Sequence, residues 1–142
     1  MVDLLVATIA GLCVDTVQLK HTFTQVTDQM DKNILPAVGL IASQSVELAL
    51  KAYLIRQGYS EQKLRALGHD LTDSWKEVSI CGLRLDWESK FSVDVLSLSH
   101  DKPYLFRYPE DKVAVGTTEP SVLCEDIEKI IKTVELEISE RL

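Results

Sequence analysis

Histidine, cysteine and aromatic side chains are scarce in this 142-residue chain, which carries three His, three Cys and only 6% Phe, Trp and Tyr together. Cys13, Cys81 and Cys124 are odd in number, far apart and in no metal-ligand spacing. That pattern excludes a disulfide framework and a zinc finger, and reads as free thiols in a reducing compartment. No glycine-rich phosphate loop, nucleophile elbow or paired His/Cys motif is present, so the common signatures of NTPases, α/β-hydrolases and metalloproteases are missing. Positive charge is also short: 15 Lys and Arg stand against 22 Asp and Glu, a formal net charge of −7. An acidic balance argues against wholesale nucleic-acid binding, though a small basic patch remains compatible with it. The opening MVDLLVATIAGLCVD is apolar but has no basic n-region and no room for a membrane span. A cytoplasmic protein with no membrane partner is therefore expected.

What is present is helix-forming material. Hydrophobic residues make up 46% and charged residues 26%, as in an ordinary globular domain, and the length suits one domain over residues 1–142. The segment Leu35–Leu71 is the centre of the pattern. After Pro36, which fits a first helical turn, Val38, Ile41, Leu48, Ala52 and Ile55 return to one side of a 3.6-period helix. Ala37, Leu40, Ala49, Leu50, Tyr53 and Leu54 spread apolar surface round most of the rest, which predicts a buried central helix ending at Gly58. Before it, Leu5, Ile9, Leu12, Thr16, Leu19, Phe23, Val26 and Met30 form a seam of alternating four- and three-residue steps. This predicts a helix from Asp3 to about Asp31, whose surplus apolar surface suits self-association.

Tyr59–Gly68 reads as a short polar loop, and residues 51–69 carry a local net charge of +3. Asp70 then caps a helix with Leu71, Trp75 and Val78 on one face, stopped by Gly82. A further helix from about Asp86 to Leu98 has Trp87, Phe91, Val95 and Leu98 on its apolar face, and Trp75 and Trp87 both read as core residues. His100–Pro120 holds three of the four prolines and lacks helical periodicity. Within it Tyr104–Tyr108 and Lys112–Val115 are placed to pair as a short hairpin, and a loop of this length is commonly functional. Thr118 and Pro120 start a last helix, with Leu123, Ile127, Ile130, Ile131, Val134 and Ile138 inward. The fold class is all-α: an up-and-down bundle of about five helices, with one long irregular loop before the last.

The only imidazoles are His21, His69 and His100, so metal chemistry would need carboxylates from different helices. No metal and no cofactor is expected. Glu47 and Lys51 are an i, i+4 pair on an otherwise apolar helix, which places them at the edge of the core. Charges there need partners, because an unpaired buried charge is expensive. Arg107, between Phe106 and Tyr108, offers forked donors that match a carboxylate. If the loop folds over the end of the bundle, Glu47, Lys51, His69, Asp70, Arg107 and Tyr108 gather into one cluster, either pinning the loop or forming a ligand site.

ELALKAYLIRQG (Glu47–Gly58), LRALGHDL (Leu64–Leu71) and YLFRYP (Tyr104–Pro109) occur in that order between helices. This pattern resembles the HEPN superfamily of all-α nucleotide-associated bundles, over about Pro36 to Leu142. The resemblance implies a homodimer, a nucleotide or RNA ligand, and a nucleotidyltransferase or antitoxin-like partner in a bacterial defence, toxin–antitoxin or mobile-element system. Many members are metal-independent ribonucleases with an Arg and a His separated by four to six residues, a pair able to supply an acid or base and to stabilise a phosphorane-like transition state. Here Arg65 and His69 have three residues between them. The implied function is thus a non-catalytic nucleotide-, RNA- or partner-binding module. The alternative is a divergent ribonuclease using Arg65 and His69, or Arg107 paired with His69 across a dimer.

Overall fold

In the computed structural model the residues described are 34–101, 104, 106 and 118–140. Helix α1, Ile34–Arg56, is the rod on which other helices pack: α3 (Leu71–Ile80), α4 (Lys90–His100) and α5 (Pro120–Glu140) all lie against it. Val46, Ala49, Leu50, Ala52, Tyr53 and Leu54 are buried around more than one side of it, as a helix surrounded by partners requires. Val38–Arg56 has the length and hydropathy of a membrane span, but 67% of that window is buried inside the bundle. The helix ends in a Schellman motif: Gly58 has φ +89°, its N–H donates to Ile55 O, and Tyr59 N–H donates to Leu54 O at 3.0 Å.

Residues 61–67 differ from expectation. They form a helix, α2 (Glu61–Leu67), where the sequence predicts a loop. The Ser60 hydroxyl accepts from Lys63 N–H, and Glu61 complements the helix dipole in the first turn. Seven residues with none buried give no readable hydrophobic period, so the cap was the only signal.

Helix α3 is Leu71–Ile80. Asp70 Oδ1 accepts from Thr72 N–H at 2.9 Å and Asp73 N–H at 3.0 Å, as the sequence predicts, and Leu71, Trp75 and Val78 are buried. The same 6→1 and 5→2 bonds close this helix at Gly82, whose φ is +95°.

A 3₁₀ turn at Trp87–Ser89 leads into α4, Lys90–His100. The predicted face of this helix is reversed. Trp87 is 75% exposed, Phe91 and Leu98 are also exposed, and Val95 is only half-buried. Ser92, Val93, Leu96, Ser97, Ser99 and His100 face inward instead. The cause is a buried carboxylate. Asp126, on α5 (Pro120–Glu140), accepts from Ser89 Oγ at 2.9 Å and from Ser92 Oγ at 2.5 Å. Ser97 Oγ accepts from Leu71 N–H at 3.1 Å on the neighbouring helix. A helix held by hydroxyls hides its inner face from any reading based on hydrophobic period.

Helix α5 has the expected face, with Leu123, Ile127, Ile130, Ile131, Val134 and Ile138 all buried. Its start is held by Glu119, which accepts from Val122 N–H at 3.2 Å and from the Ser121 hydroxyl, rather than by Thr118. Thr118 bonds Ser92 Oγ instead, at 3.0 Å. The bundle is all-α, with no strand among the described residues. The helix expected over Asp3 to Asp31, Arg107, Tyr108 and most of the expected hairpin lie outside the described residues; Tyr104 and Phe106, from its first strand, are in turns.

Candidate functional site

One polar corner interrupts this core, at the junction of α1, the α2–α3 link and the end of α4. Its platform comes from α1: Ser43, Glu47 and Lys51 follow one another at four-residue steps, so their side chains stack along one face. Glu47 and Ser43 are buried, and Lys51 is partly so. The α2–α3 link adds His69, whose side chain is 33% exposed, and α4 adds His100, which is buried.

Glu47 is the hub. Lys51 Nζ donates to Oε1 at 2.7 Å, His69 Nδ1 lies 3.0 Å from Oε2, and His100 Nε2 lies 2.5 Å from the same oxygen. Burial pushes the Glu47 carboxyl up, but hydrogen bonds from His100, Lys51 and His69 outweigh it and hold the group at about 2. Lys51 also donates to Gly68 O at 2.6 Å, tying the α2–α3 link down onto α1. On its far side His100 Nδ1 is 2.9 Å from Ser43 Oγ. The Ser43 hydroxyl also lies 2.7 Å from Gly39 O. It has one hydrogen to give, so when it donates to Gly39 O it accepts from His100 Nδ1–H. The His69 ring stands edge-on to both His100 and Tyr104, with centroids 5.5 and 5.6 Å apart.

The chain after α4 lies beside this corner. Tyr104 N–H donates to Asp101 O at 2.7 Å, and Phe106 N–H to Ser99 O at 3.2 Å. Phe106 is buried against Gly39, whose hydrogen side chain leaves the room the ring occupies.

The structure therefore brings Glu47, Lys51 and His69 together, with the i, i+4 pair formed as the sequence suggested. Asp70 follows His69 directly, but its carboxylate is taken up by the α3 cap, with Ser97 Oγ 3.4 Å away. Arg65 is elsewhere: its guanidinium is bonded to Glu61 at 2.5 Å, and both side chains are 78% exposed on α2. Sequence reasoning missed His100, Ser43 and Tyr104. The Ser43–Glu47–Lys51 ladder was a usable signal, a polar line on an apolar helix. Nothing local marked His100, which lies 53 residues from the carboxylate it meets. Glu47, His69 and His100 each offer one ligand atom, all within 4.8 Å of one another, so these three are able to hold a metal ion.

A family model described as HEPN domain matches residues 20–139. No curated protein and no solved structure matches the chain.

Proposed function

The chain belongs to the HEPN domain family, and on that premise we propose that it is a non-catalytic binding module for a nucleotide or RNA, working in a bacterial defence, toxin–antitoxin or mobile-element setting. The ligand site in this reading is the Glu47–Lys51–His69 corner, with Arg107 and Tyr108 as further candidate ligand-binding residues. Its dimeric state and its partner, a nucleotidyltransferase or antitoxin-like chain, are part of the same proposal.

The observation that carries the non-catalytic half is the position of Arg65. A ribonuclease of the Arg–His kind needs the guanidinium and the imidazole turned to one phosphate, so that charge is stabilised where the proton moves. Arg65 instead pairs with Glu61 on the outer side of α2, while His69 Nδ1 is engaged with Glu47. The binding half rests on the family and on the exposure of His69, which gives a ligand access to a corner otherwise closed.

A second reading has one observation in its favour. Arg65 lies four residues before His69, and its exposed side chain is held only by a surface ion pair of the weak kind. Rotation toward a bound phosphate would complete a divergent ribonuclease pair. The two readings part in one experiment: the full-length protein is incubated with a mixed RNA pool, with and without chelator, and binding is followed alongside cleavage. Retention of RNA or nucleotide without cleavage, weakened in Lys51→Ala, supports the module. Chelator-resistant cleavage that disappears in folded His69→Ala and Arg65→Ala proteins replaces it with the enzyme. A result with neither retention nor cleavage of any nucleotide or RNA refutes both.

A further inference from the structure

We propose that Glu47, His69 and His100 form a binding site for one divalent first-row metal ion, with zinc the favoured occupant. The donors come from three elements, α1, the α2–α3 link and α4, and converge with one ligand atom each within 4.8 Å of one another. Two imidazoles and one carboxylate are a ligand set that suits zinc and its neighbours in the series. In a tetrahedral zinc site with bonds of about 2.0–2.1 Å, donor atoms stand roughly 3.3 Å apart. His69 Nδ1 and Glu47 Oε2, at 3.0 Å, are nearly there already. His100 Nε2, at 2.5 Å from the same oxygen, has to retreat by about 0.8 Å to reach that spacing.

The two Glu47 oxygens carry different loads. Oε1 accepts from Lys51, which is also anchored on Gly68 O, and lies 3.2 Å from His69 Nδ1, while Oε2 is the nearer oxygen to that nitrogen, at 3.0 Å, and the one that faces His100 Nε2. The ammonium is thus held to one side, and its hydrogen bond fixes the orientation of the carboxylate.

Behind His100 there is support of the sort metal-bound histidines usually have, in which the distal ring nitrogen is hydrogen-bonded and sets the tautomer. With the Ser43 hydroxyl donating to Gly39 O, it accepts from His100 Nδ1–H, and the Nε2 lone pair is left for the metal. His69 needs only the tautomer with its hydrogen on Nε2, which frees Nδ1. No covalent step is involved: if either ring is protonated at the start, its extra proton leaves to solvent as the metal enters.

Access is asymmetric. Glu47 and His100 are buried, whereas His69 is one-third exposed and borders Tyr104. The metal enters from the His69 side and keeps its fourth position there, open to water or to a phosphate oxygen. Three protein ligands and one open position distinguish this site from a closed structural zinc centre.

The test uses the full chain, stripped with chelator and dialysed, then titrated with cobalt(II) and zinc(II) chlorides. The expected result is a visible cobalt band that saturates at about one equivalent per chain and is abolished by zinc. Thermal unfolding midpoints should rise by roughly 8 °C at a hundredfold excess of zinc over its dissociation constant. His69→Ala and the milder His69→Gln, both at the exposed member of the trio, should keep the helical circular dichroism and lose the band and the thermal shift. His21→Ala, outside the trio, should keep both. Absence of a saturable equivalent in the parent protein overturns the proposal, as does unchanged cobalt binding in folded His69→Ala.

Discussion

A methyl group added at Gly39 tests how the chain after α4 is held against α1. A Cβ built there falls 2.6 Å from Phe106 Cζ and 2.7 Å from Cδ1, and nearer still to Cε1. Carbon contacts are comfortable at about 3.5–4.0 Å, so the ring has to move by roughly 1 Å. It has little freedom to do so, because Phe106 is 3% exposed and its N–H is fastened to Ser99 O at 3.2 Å. Overpacking of this kind costs about 1–3 kcal/mol, while Ala in place of Gly within a helix returns about 1 kcal/mol. Gly39→Ala should therefore destabilise the protein by up to about 2 kcal/mol. Phe106→Ala alone should cost about 3–5 kcal/mol for the ring it removes. In the Phe106→Ala background the obstruction is gone, and the sign should change: Gly39→Ala becomes neutral, or stabilising by up to about 1 kcal/mol. Urea unfolding of the four proteins in a double-mutant cycle reads this coupling directly. Equal destabilisation by Gly39→Ala in both backgrounds would refute the packing argument.

The Glu47 carboxyl is held at about 2 when folded, against an ordinary 4.5. A depressed folded value stabilises the fold above about pH 4.5, and this contribution drains away as the pH falls toward 2. Urea midpoints between pH 6 and pH 2 should fall through that window in metal-free protein, and Glu47→Gln should be weaker at pH 6 and flatter below it. Ser92→Ala removes one of the two serine hydroxyls bonded to buried Asp126 and should cost about 1–3 kcal/mol, measured by thermal or urea unfolding. Trp87→Ala should change stability by no more than about 0.5 kcal/mol, whereas Trp75→Ala should cost about 3–5 kcal/mol, since Trp87 is 75% exposed and Trp75 only 3%. Acrylamide should quench Trp87 fluorescence far more efficiently than that of Trp75, and equal quenching would contradict the orientation of the 3₁₀ turn.

Helices whose burial is apolar were legible in the sequence. On α5 the spacing Leu123, Ile127, Ile130, Ile131, Val134, Ile138 names the buried face because six apolar residues outvote the single buried carboxylate, Asp126. Asp70 was legible as a cap because a short carboxylate before Leu71 has one good local use. The reversed α4 was not, since hydrophobic periodicity gives a serine no credit for bonding a buried carboxylate 34 or 37 residues away. The site divides along the same line. Glu47 and Lys51 announce each other at one helical turn, and Ser43 continues their line, whereas His100 meets Ser43 across 57 residues and has no local mark of its own.

The arrangement of α4 has a consequence for the corner it serves. This helix carries two rival stripes: Phe91 and Leu98 on one side, and Ser92, Leu96 and His100 on the other. At 100° per residue the two are roughly 150° apart. Hydrophobic burial by itself would favour the greasier stripe, and a roll in that direction would turn His100 away from Glu47. The Ser89–Asp126–Ser92 bridge resists the roll, because releasing it would strand a carboxylate that has been taken out of water. Asp126 thus behaves as a detent: from the neighbouring helix it selects the rotation at which His100 reaches the corner, without touching any residue there.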